Sequence, residues 1–469
     1  MKKLTIVIKL GTSSIVDETT HEPLLSILSL IVETAVRLKK DGHKVVIVSS
    51  GAIGTGLREM GMEKRPKQLA MKQALAAIGQ CQLIGLWKQL FGHMNQQVGQ
   101  ILITRNDLDE RTRYLNAQQT LFQLLEWDAI PIVNENDTLA VTEMKFGDND
   151  TLSAITAGLV HADYLFLMTD VDCLYDKNPR SNPDAKPIFV VEDCQTLTAD
   201  VSSAGSALGT GGMGTKIVAA QLATSVGVTT IITKSSKPGN VREIVQYWEA
   251  LKAAQQGSAH NTPPTSGTNT PSHPVSLANS SVLTPGVSTP GSETPPLAPP
   301  PLHTRFVPDP HPIRDRYFWI LHGLAPSGIV YIDEGAHKAL ANKAGLLPPG
   351  VVDVEGSFAQ NQSVRLVVVK RIKVAGEGEP AYASDPAPVE VGRAVVNYSS
   401  VEIKLIRGHK ASDIRGTLGY ADTEYVAQRE NVAMFKVERS RPVTPAPEAA
   451  AHTGTATTAA APAAATTEA

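Results

Sequence analysis

Six short runs of apolar residues recur along the first half of the chain: Leu4–Lys9, Lys44–Ser49, Val98–Thr104, Ala129–Asn134, Tyr164–Thr169 and Val228–Lys234. Most are continuous rather than alternating, the pattern of a strand covered on both faces. Stretches with helical spacing lie between them. In one, Leu24, Leu25, Leu28, Ile31, Ala35 and Leu38 mark a single apolar face. Strands alternating with helices, with both sheet faces buried, predict an α/β unit: a three-layer, doubly wound, mostly parallel sheet. Ligands bind such sheets beyond the carboxyl ends of the strands, and the residues that follow each run are where chemistry is to be sought.

The pattern changes after residue 252. Residues 253–313 are rich in Pro, Ser, Thr, Gly and Asn and carry 14 of the 31 prolines. Such a composition cannot bury a core and predicts a disordered linker. Order is expected again over 314–437, where Gly328–Ile332, Ser363–Val369, Arg393–Asn397 and Val401–Leu405 read as strands and Ala336–Ala344 as a helix. A small β-barrel-like domain fits this zone. Residues 438–469 form an Ala/Thr-rich tail whose Thr pairs and prolines predict disorder.

Bulk properties narrow the function classes. The 469 residues are 42% hydrophobic and 19% charged, with a formal net charge of −3. Nothing in that balance favours non-specific attraction to nucleic acid or to an anionic membrane. Cys81, Cys173 and Cys194 are scattered without a CxxC spacing, which fits a reducing compartment rather than a disulfide framework or a zinc ribbon. The apolar run near the N-terminus is too short for a signal-peptide core, and no stretch reaches the roughly 18 apolar residues of a membrane span. A cytosolic protein is expected.

Polar chemistry gathers at the ends of the runs. The first ends in Lys9-Leu10-Gly11-Thr12-Ser13-Ser14, where a lysine can meet a phosphate and hydroxyls and amides can donate; an ordinary turn beside a surface lysine reads equally well. The second ends in Ser49-Ser50-Gly51, suited to a carboxylate or merely to a tight turn. Asn134-Glu135-Asn136-Asp137 and Gly147-Asp148-Asn149-Asp150 bring four carboxylates and three carboxamides near strand ends and a helix start, more than capping requires. Thr169-Asp170-Val171-Asp172 offers acceptors for a base, a ribose or a metal, and reads equally well as a solvated loop after a strand. Last, Gly209-Thr210-Gly211-Gly212-Met213-Gly214-Thr215-Lys216 opens a helix. Its glycines match GxGxxG, but no strand precedes them, and Thr215 between the last glycine and the lysine excludes a Walker A loop. A glycine loop with free amides, a lysine and a helix N-terminus suits nucleotide phosphates.

These segments, in this order, resemble the amino-acid kinase superfamily, and within it the glutamate 5-kinases (γ-glutamyl kinases). The likeness covers residues 1 to about 250 and resumes over about 317–437, where Asp333-Glu334-Gly335-Ala336 and Leu346-Leu347-Pro348-Pro349-Gly350 are similar to a PUA domain. The resemblance implies ATP and Mg2+ as cofactors and L-glutamate as phosphoryl acceptor. It implies that Lys9 and Lys216 stabilise the transferring phosphoryl group and that Asp150 holds them in place. Ser50, Asp137 and Asn149 would bind glutamate. Lys9, Gly11, Thr169, Asp170 and the loop Thr210, Gly211, Gly212, Met213, Gly214, Thr215 and Lys216 would bind ATP. No protein ligand set for a metal is implied. Proline is the implied inhibitor, a separate glutamyl phosphate reductase the implied consumer of the product, and a homo-oligomer the implied assembly. Related kinases acting on another small acid are the nearest alternative. RNA binding through the PUA-like zone is another, although 14 Lys/Arg against 13 Asp/Glu over residues 316–437 leave no basic footprint. Asn361 stands where that zone commonly has glycine, and a turn of positive φ is expected there.

Overall fold

The computed structural model describes residues 2–139, 148–194, 197, 212–259, 298–372, 382–383 and 387–435. The elements run β1 (Thr5–Leu10), α1 (Leu25–Lys40), β2 (Lys44–Ser49), α2 (Ala52–Glu59), α3 (Leu69–Gly92), β3 (Val98–Ile103), α4 (Arg105–Asp109), α5 (Arg111–Glu126), β4 (Ile130–Glu135), α6 (Asn149–Leu159) and β5 (Tyr164–Thr169). They continue through β6 (Leu174–Tyr175), β7 (Pro187–Ile188), β8 (Val190–Val191), α7 (Met213–Ser225), β9 (Thr229–Lys234), α8 (Asn240–Ala259) and β10 (Thr304–Phe306). The main sheet has the order β3-β4-β2-β1-β5-β9-β10-β8. It is parallel from β3 to β9, and β10 returns antiparallel to β9.

Strand alternation sorts the buried side chains into two layers. Ile6, Ile8, Leu10, Val45 and Ile47 join one apolar cluster with Leu28, Ile31, Leu83, Trp87, Val241 and Ile244, so α1, α3 and α8 cover that face. Val7, Val46, Val48, Leu165 and Leu167 are equally buried but lie outside that cluster. Their face is covered by α6 and α7, which pack on each other and on β1 and β9. The outcome is the expected three-layer α/β arrangement. Among the described residues no helix is long and apolar enough to cross a membrane.

One boundary differs from expectation. Residues 260–297 lie outside the described residues, but the end of the expected linker is part of the sheet: Thr304, Arg305 and Phe306 pair with Ile232, Ile231 and Thr230 of β9. Phe306 is fully buried, and Thr304 Oγ1 accepts from the Leu174 amide at 2.8 Å. The Arg305 guanidinium stacks 4.0 Å from the centre of the Trp248 ring on α8. α8 itself runs past residue 252 to Ala259.

Beyond the short α9 (Asp315–Phe318) and a π-helical turn (Trp319–Gly323) come β11 (Gly328–Ile332), α10 (Glu334–Ala341), β12 (Val351–Gly356) and β13 (Ser363–Val368). β14 (Lys370–Arg371), β15 (Tyr382–Ala383), β16 (Val389–Val395), α11 (Ser400–Ile406), α12 (Ile414–Leu418) and β17 (Val432–Met434) complete the described chain. Five of these strands form a mixed sheet in the order β12-β11-β13-β16-β17. Register shifts at Tyr331/Ile332 and Leu366/Val367 bend it around its own core. Asn361 has φ +67°, as expected of it.

Two expectations fail in this zone. The strand placed at Arg393–Asn397 is centred earlier, on Val389–Val395. The strand placed at Val401–Leu405 is helix α11. Ser399 and Glu402 form a capping box, and Ile403 and Ile406 go into the core while Val401 and Leu405 stay exposed, which is helical rather than two-fold spacing.

Candidate active site

The alternation that buries Ile8 and Leu10 under α1 and α3 turns Lys9 with Val7 towards α6 and α7. α6 begins beside the carboxyl end of β1, with Asp148 as N-cap, its Oδ1 accepting from the Thr151 amide at 2.8 Å. Asp150, in the first turn, is fully buried, and Lys9 and Lys216 are 4% and 7% exposed. Charges this deep persist only when paired. Lys9 Nζ forms an ion pair with Asp150 Oδ1, and Lys216 Nζ, from the first turn of α7, lies 3.3 Å from Oδ2. Thr215 Oγ1 donates to the same Oδ2 at 2.8 Å and accepts from the Gly212 amide at 2.9 Å. Two ammonium groups from different elements therefore meet on one carboxylate.

Burial alone would raise the Asp150 carboxyl, but Lys9 and Lys216 outweigh it and hold it at about 2. Burial lowers Lys9, against the pull of Asp150 and with the push of Lys216. Asp148 is raised, first by burial and then by the neighbouring Asp150 charge.

On one side of this centre, Ser50 follows β2 and Asn149 opens α6. Asn149 Nδ2 donates to Ser50 Oγ at 2.8 Å and to Asn134 Oδ1, at the end of β4, at 3.1 Å. Gly51 takes φ +101°, a left-handed turn that glycine adopts without strain. Asp137 lies two residues beyond β4 and is half-buried. On the other side, Thr169 ends β5 and donates to Asp170 at 3.0 Å, while Asp170 is clasped by Arg180. Lys234, in register with Thr169 on β9, pairs with Asp172 at 3.1 Å. Gly212, Met213, Gly214 and Thr215 are half-buried at the start of α7. Thr210 and Gly211 lie outside the described residues. A Cβ on Gly11 would meet only Lys9 Nζ, at 3.8 Å, so sterics do not demand glycine there.

Strand order thus lays the groups out along one sheet edge: β4 and β2 with Asn134, Asp137 and Ser50, then β1 with Lys9, then β5 and β9 with Thr169, Asp170 and Lys234. Strands about 4.8 Å apart make this a line of roughly 20 Å, long enough for a nucleotide and a small acceptor end to end. Two supporting residues escaped the sequence reading. Asn134 was visible only as one member of a polar run. Gln80, whose Oε1 accepts from Asn134 Nδ2 at 2.8 Å, is a polar residue inside an apolar helix and gave no signal.

A doubly wound sheet in which a strand-end lysine and a lysine from a glycine-started helix meet on one carboxylate has the layout of a phosphotransferase. Residues 4–234 match the model of the amino acid kinase family and residues 328–418 that of the PUA domain. The chain belongs to the amino acid kinase family, as an ATP-dependent kinase with a PUA domain near its C-terminus. A Schizosaccharomyces pombe protein named "Probable glutamate 5-kinase" is 50% identical over 432 residues, 92% of this chain and 93% of that protein. An uncharacterized protein of Saccharomyces cerevisiae is 45% identical over 92% of this chain and 98% of its own length. A "Glutamate 5-kinase" of a Cyanothece species is 40% identical over 92% and 99%.

Proposed function

We propose that this chain is a glutamate 5-kinase: it transfers the γ-phosphoryl group of ATP to the side-chain carboxylate of L-glutamate, giving ADP and L-glutamyl 5-phosphate, the committing step towards proline. The observation that carries the reading is the pair of ammonium groups, Lys9 and Lys216, held on the single buried carboxylate of Asp150. The near full-length likeness to proteins named glutamate 5-kinase supports the choice of acceptor.

The chemistry asks for no covalent intermediate on the protein. A glutamate carboxylate oxygen attacks the γ-phosphorus in line, the new P–O bond forms as the bond to the bridging β–γ oxygen breaks, and ADP leaves with that electron pair. Two anions must be brought together, and positioning is worth roughly 7–11 kcal/mol. Lys9 and Lys216 neutralise the phosphoryl oxygens, and Asp150 keeps both ammoniums aimed. Ser50, Asn149 and Asp137 hold the acceptor. Thr169, Asp170 and the start of α7, Gly212 to Lys216 with Gly214 and Met213 in its first turn, hold the nucleotide, whose phosphates suit a helix N-terminus. Among the described residues no cluster of three or more His, Cys, Asp and Glu side chains forms a metal cage. Mg2+ in kinase sites is held by one or two carboxylates together with substrate phosphates and water. When bound, Mg2+ would add neutralising positive charge on the nucleotide phosphates.

Product lability in water makes a separate reductase the natural next enzyme, and feedback by proline and self-association belong to the same reading. The test is ATP turnover with L-glutamate and Mg2+, with hydroxylamine to trap the acyl phosphate, in the presence and absence of proline. ADP release dependent on glutamate, with hydroxamate formed in equal amount, is expected. Hydroxamate formed from aspartate and not from glutamate would overturn the assignment.

A further inference from the structure

The helices that carry Asp150 and Lys216 share a fastening at the end remote from the chemistry. Asp150 lies in the first turn of α6 and Lys216 in the first turn of α7, and the two helices pack on each other. The last carbonyls of a helix have no partner within it and must find one elsewhere. For α7 the chain leaving β10 supplies it: the Asp309 amide donates to Thr224 O at 3.0 Å and the Ile313 amide to Ser225 O at 2.9 Å. Further on, the same segment reaches α6. Gly158, in the last turn of α6, lies so close to Phe318 that a Cβ there would stand 2.8 Å from the ring. From α5, Gln118 Nε2 donates to Leu159 O at 2.9 Å. One short stretch, 309–318, therefore touches the back ends of both helices.

The stretch itself has little freedom. Phe318 is 2% exposed, and next to it Trp319 Nε1 donates to Leu108 O, on α4, at 2.7 Å. Arg316 Nε donates to Glu430 O at 3.0 Å and its Nη2 to Asn431 Oδ1 at 2.6 Å, just before β17. The outermost contact, His161 Nε2 with Asp315 Oδ2 at 2.9 Å, is about half exposed and adds little. A close-packed interior yields poorly and passes strain on. Gly158 lies about 12 Å from Asp150 along the axis of α6, and a helix this short moves as one piece.

We propose that residues 309–318 form a positioning strap: by holding the C-terminal ends of α6 and α7 together, Phe318 and the amides of Asp309 and Ile313 set the distance at which Asp150 and Lys216 meet at the other ends. The strap touches no reacting atom and acts through the two helices. It rests on the proposed reaction only in taking that meeting as the catalytic centre.

The test perturbs the contact between Gly158 and Phe318 in the full chain. Gly158→Ala places a methyl 2.8 Å from a ring carbon, where carbon atoms keep about 3.5–4.0 Å, so α6 must move by about 1 Å. Misplacement of that size far from the chemistry can cost about 100-fold. At saturating glutamate kcat is expected to fall about 10–100-fold, with KM for ATP within about 3-fold because α7 and the end of β5 keep their places. Phe318→Leu removes the ring carbons that the methyl would meet, so Gly158→Ala/Phe318→Leu is expected to recover to within about 3-fold of Phe318→Leu alone. Circular dichroism melting checks folding. Should Gly158→Ala not fold, Phe318→Ala leaves the end of α6 unsupported and is expected to lower kcat about 10-fold. A folded Gly158→Ala or Phe318→Ala within about 2-fold of wild-type kcat, a double variant no better than Gly158→Ala, or a loss confined to KM for ATP would overturn the strap. A wild-type chain that forms no hydroxamate with glutamate would defeat the proposed reaction alone; the same variants, compared by ADP release with the acid that does turn over, still decide the strap.

Discussion

Asp150→Asn isolates what the buried carboxylate does for the two lysines. The substitution keeps shape and removes one negative charge between two positive ones. A unit charge about 4 Å away at an effective dielectric near 20 contributes about 4 kcal/mol, and each 1.36 kcal/mol moves a pKa by about one unit. Lys9 is the partner that yields, because burial already favours its neutral form. Its deprotonation relieves the repulsion, so stability should fall by less than the roughly 3–5 kcal/mol typical of a buried charge left alone. The cost reappears in catalysis. Where Lys9 has lost its proton the phosphoryl oxygens lack one preorganised charge, and kcat there should be about 10²–10³-fold below that of wild type, recovering towards acid pH. The sign of the pH dependence is specific: removing an anion lowers the lysine further, so the loss of activity on the alkaline side should begin at lower pH in the variant. Even if two thirds of the interaction is screened, the displacement is about one pH unit. Steady-state kcat from pH 5.5 to 9.5, with hydroxamate trapping, measures it. A variant within a few-fold of wild-type kcat, or one whose alkaline limb stays in place, would refute the reasoning.

Lys9→Ala should also lose about 10²–10³ in kcat with glutamate KM changed little, measured in the same assay; near-full turnover would exclude the role given to Lys9. Asp150, held at about 2 against an ordinary 3.8, contributes stability that is complete above pH 4 and lost as pH falls towards 2. Urea unfolding should show roughly 2 kcal/mol of acid-dependent stability over that window, absent from Asp150→Asn. Gly79→Ala should cost about 1–3 kcal/mol and raise glutamate KM, because α3 must back away from the Ala52 carbonyl and takes Gln80 with it; thermal melting and kinetics together test this.

Much of the sheet was legible because burial on both faces leaves a plain mark. Six apolar runs, read without periodicity, coincide with β1, β2, β3, β4, β5 and β9 to within a residue at each end. Lys9, Ser50, Thr169 and Asp150 stood out as candidates because each follows or ends a run, or opens the helix after one. What escaped had weak local marks or none. Thr304–Phe306 is three residues among prolines, and it becomes a strand only because β9, far earlier in the chain, offers an edge. Val401–Leu405 looked like a strand because short apolar runs fit either period, although Ser399 and Glu402 stood at capping-box spacing and could have decided it. Gln80 acquires meaning only once α3 is laid against β4.

The return of the chain at β10 alters what the proline-rich segment is. It leaves the kinase sheet from α8 and comes back to that sheet before the PUA domain begins, so it bridges two fixed points of one body rather than two bodies. By the same geometry, a protease nicking it would yield two fragments that stay stitched together through β9 and β10.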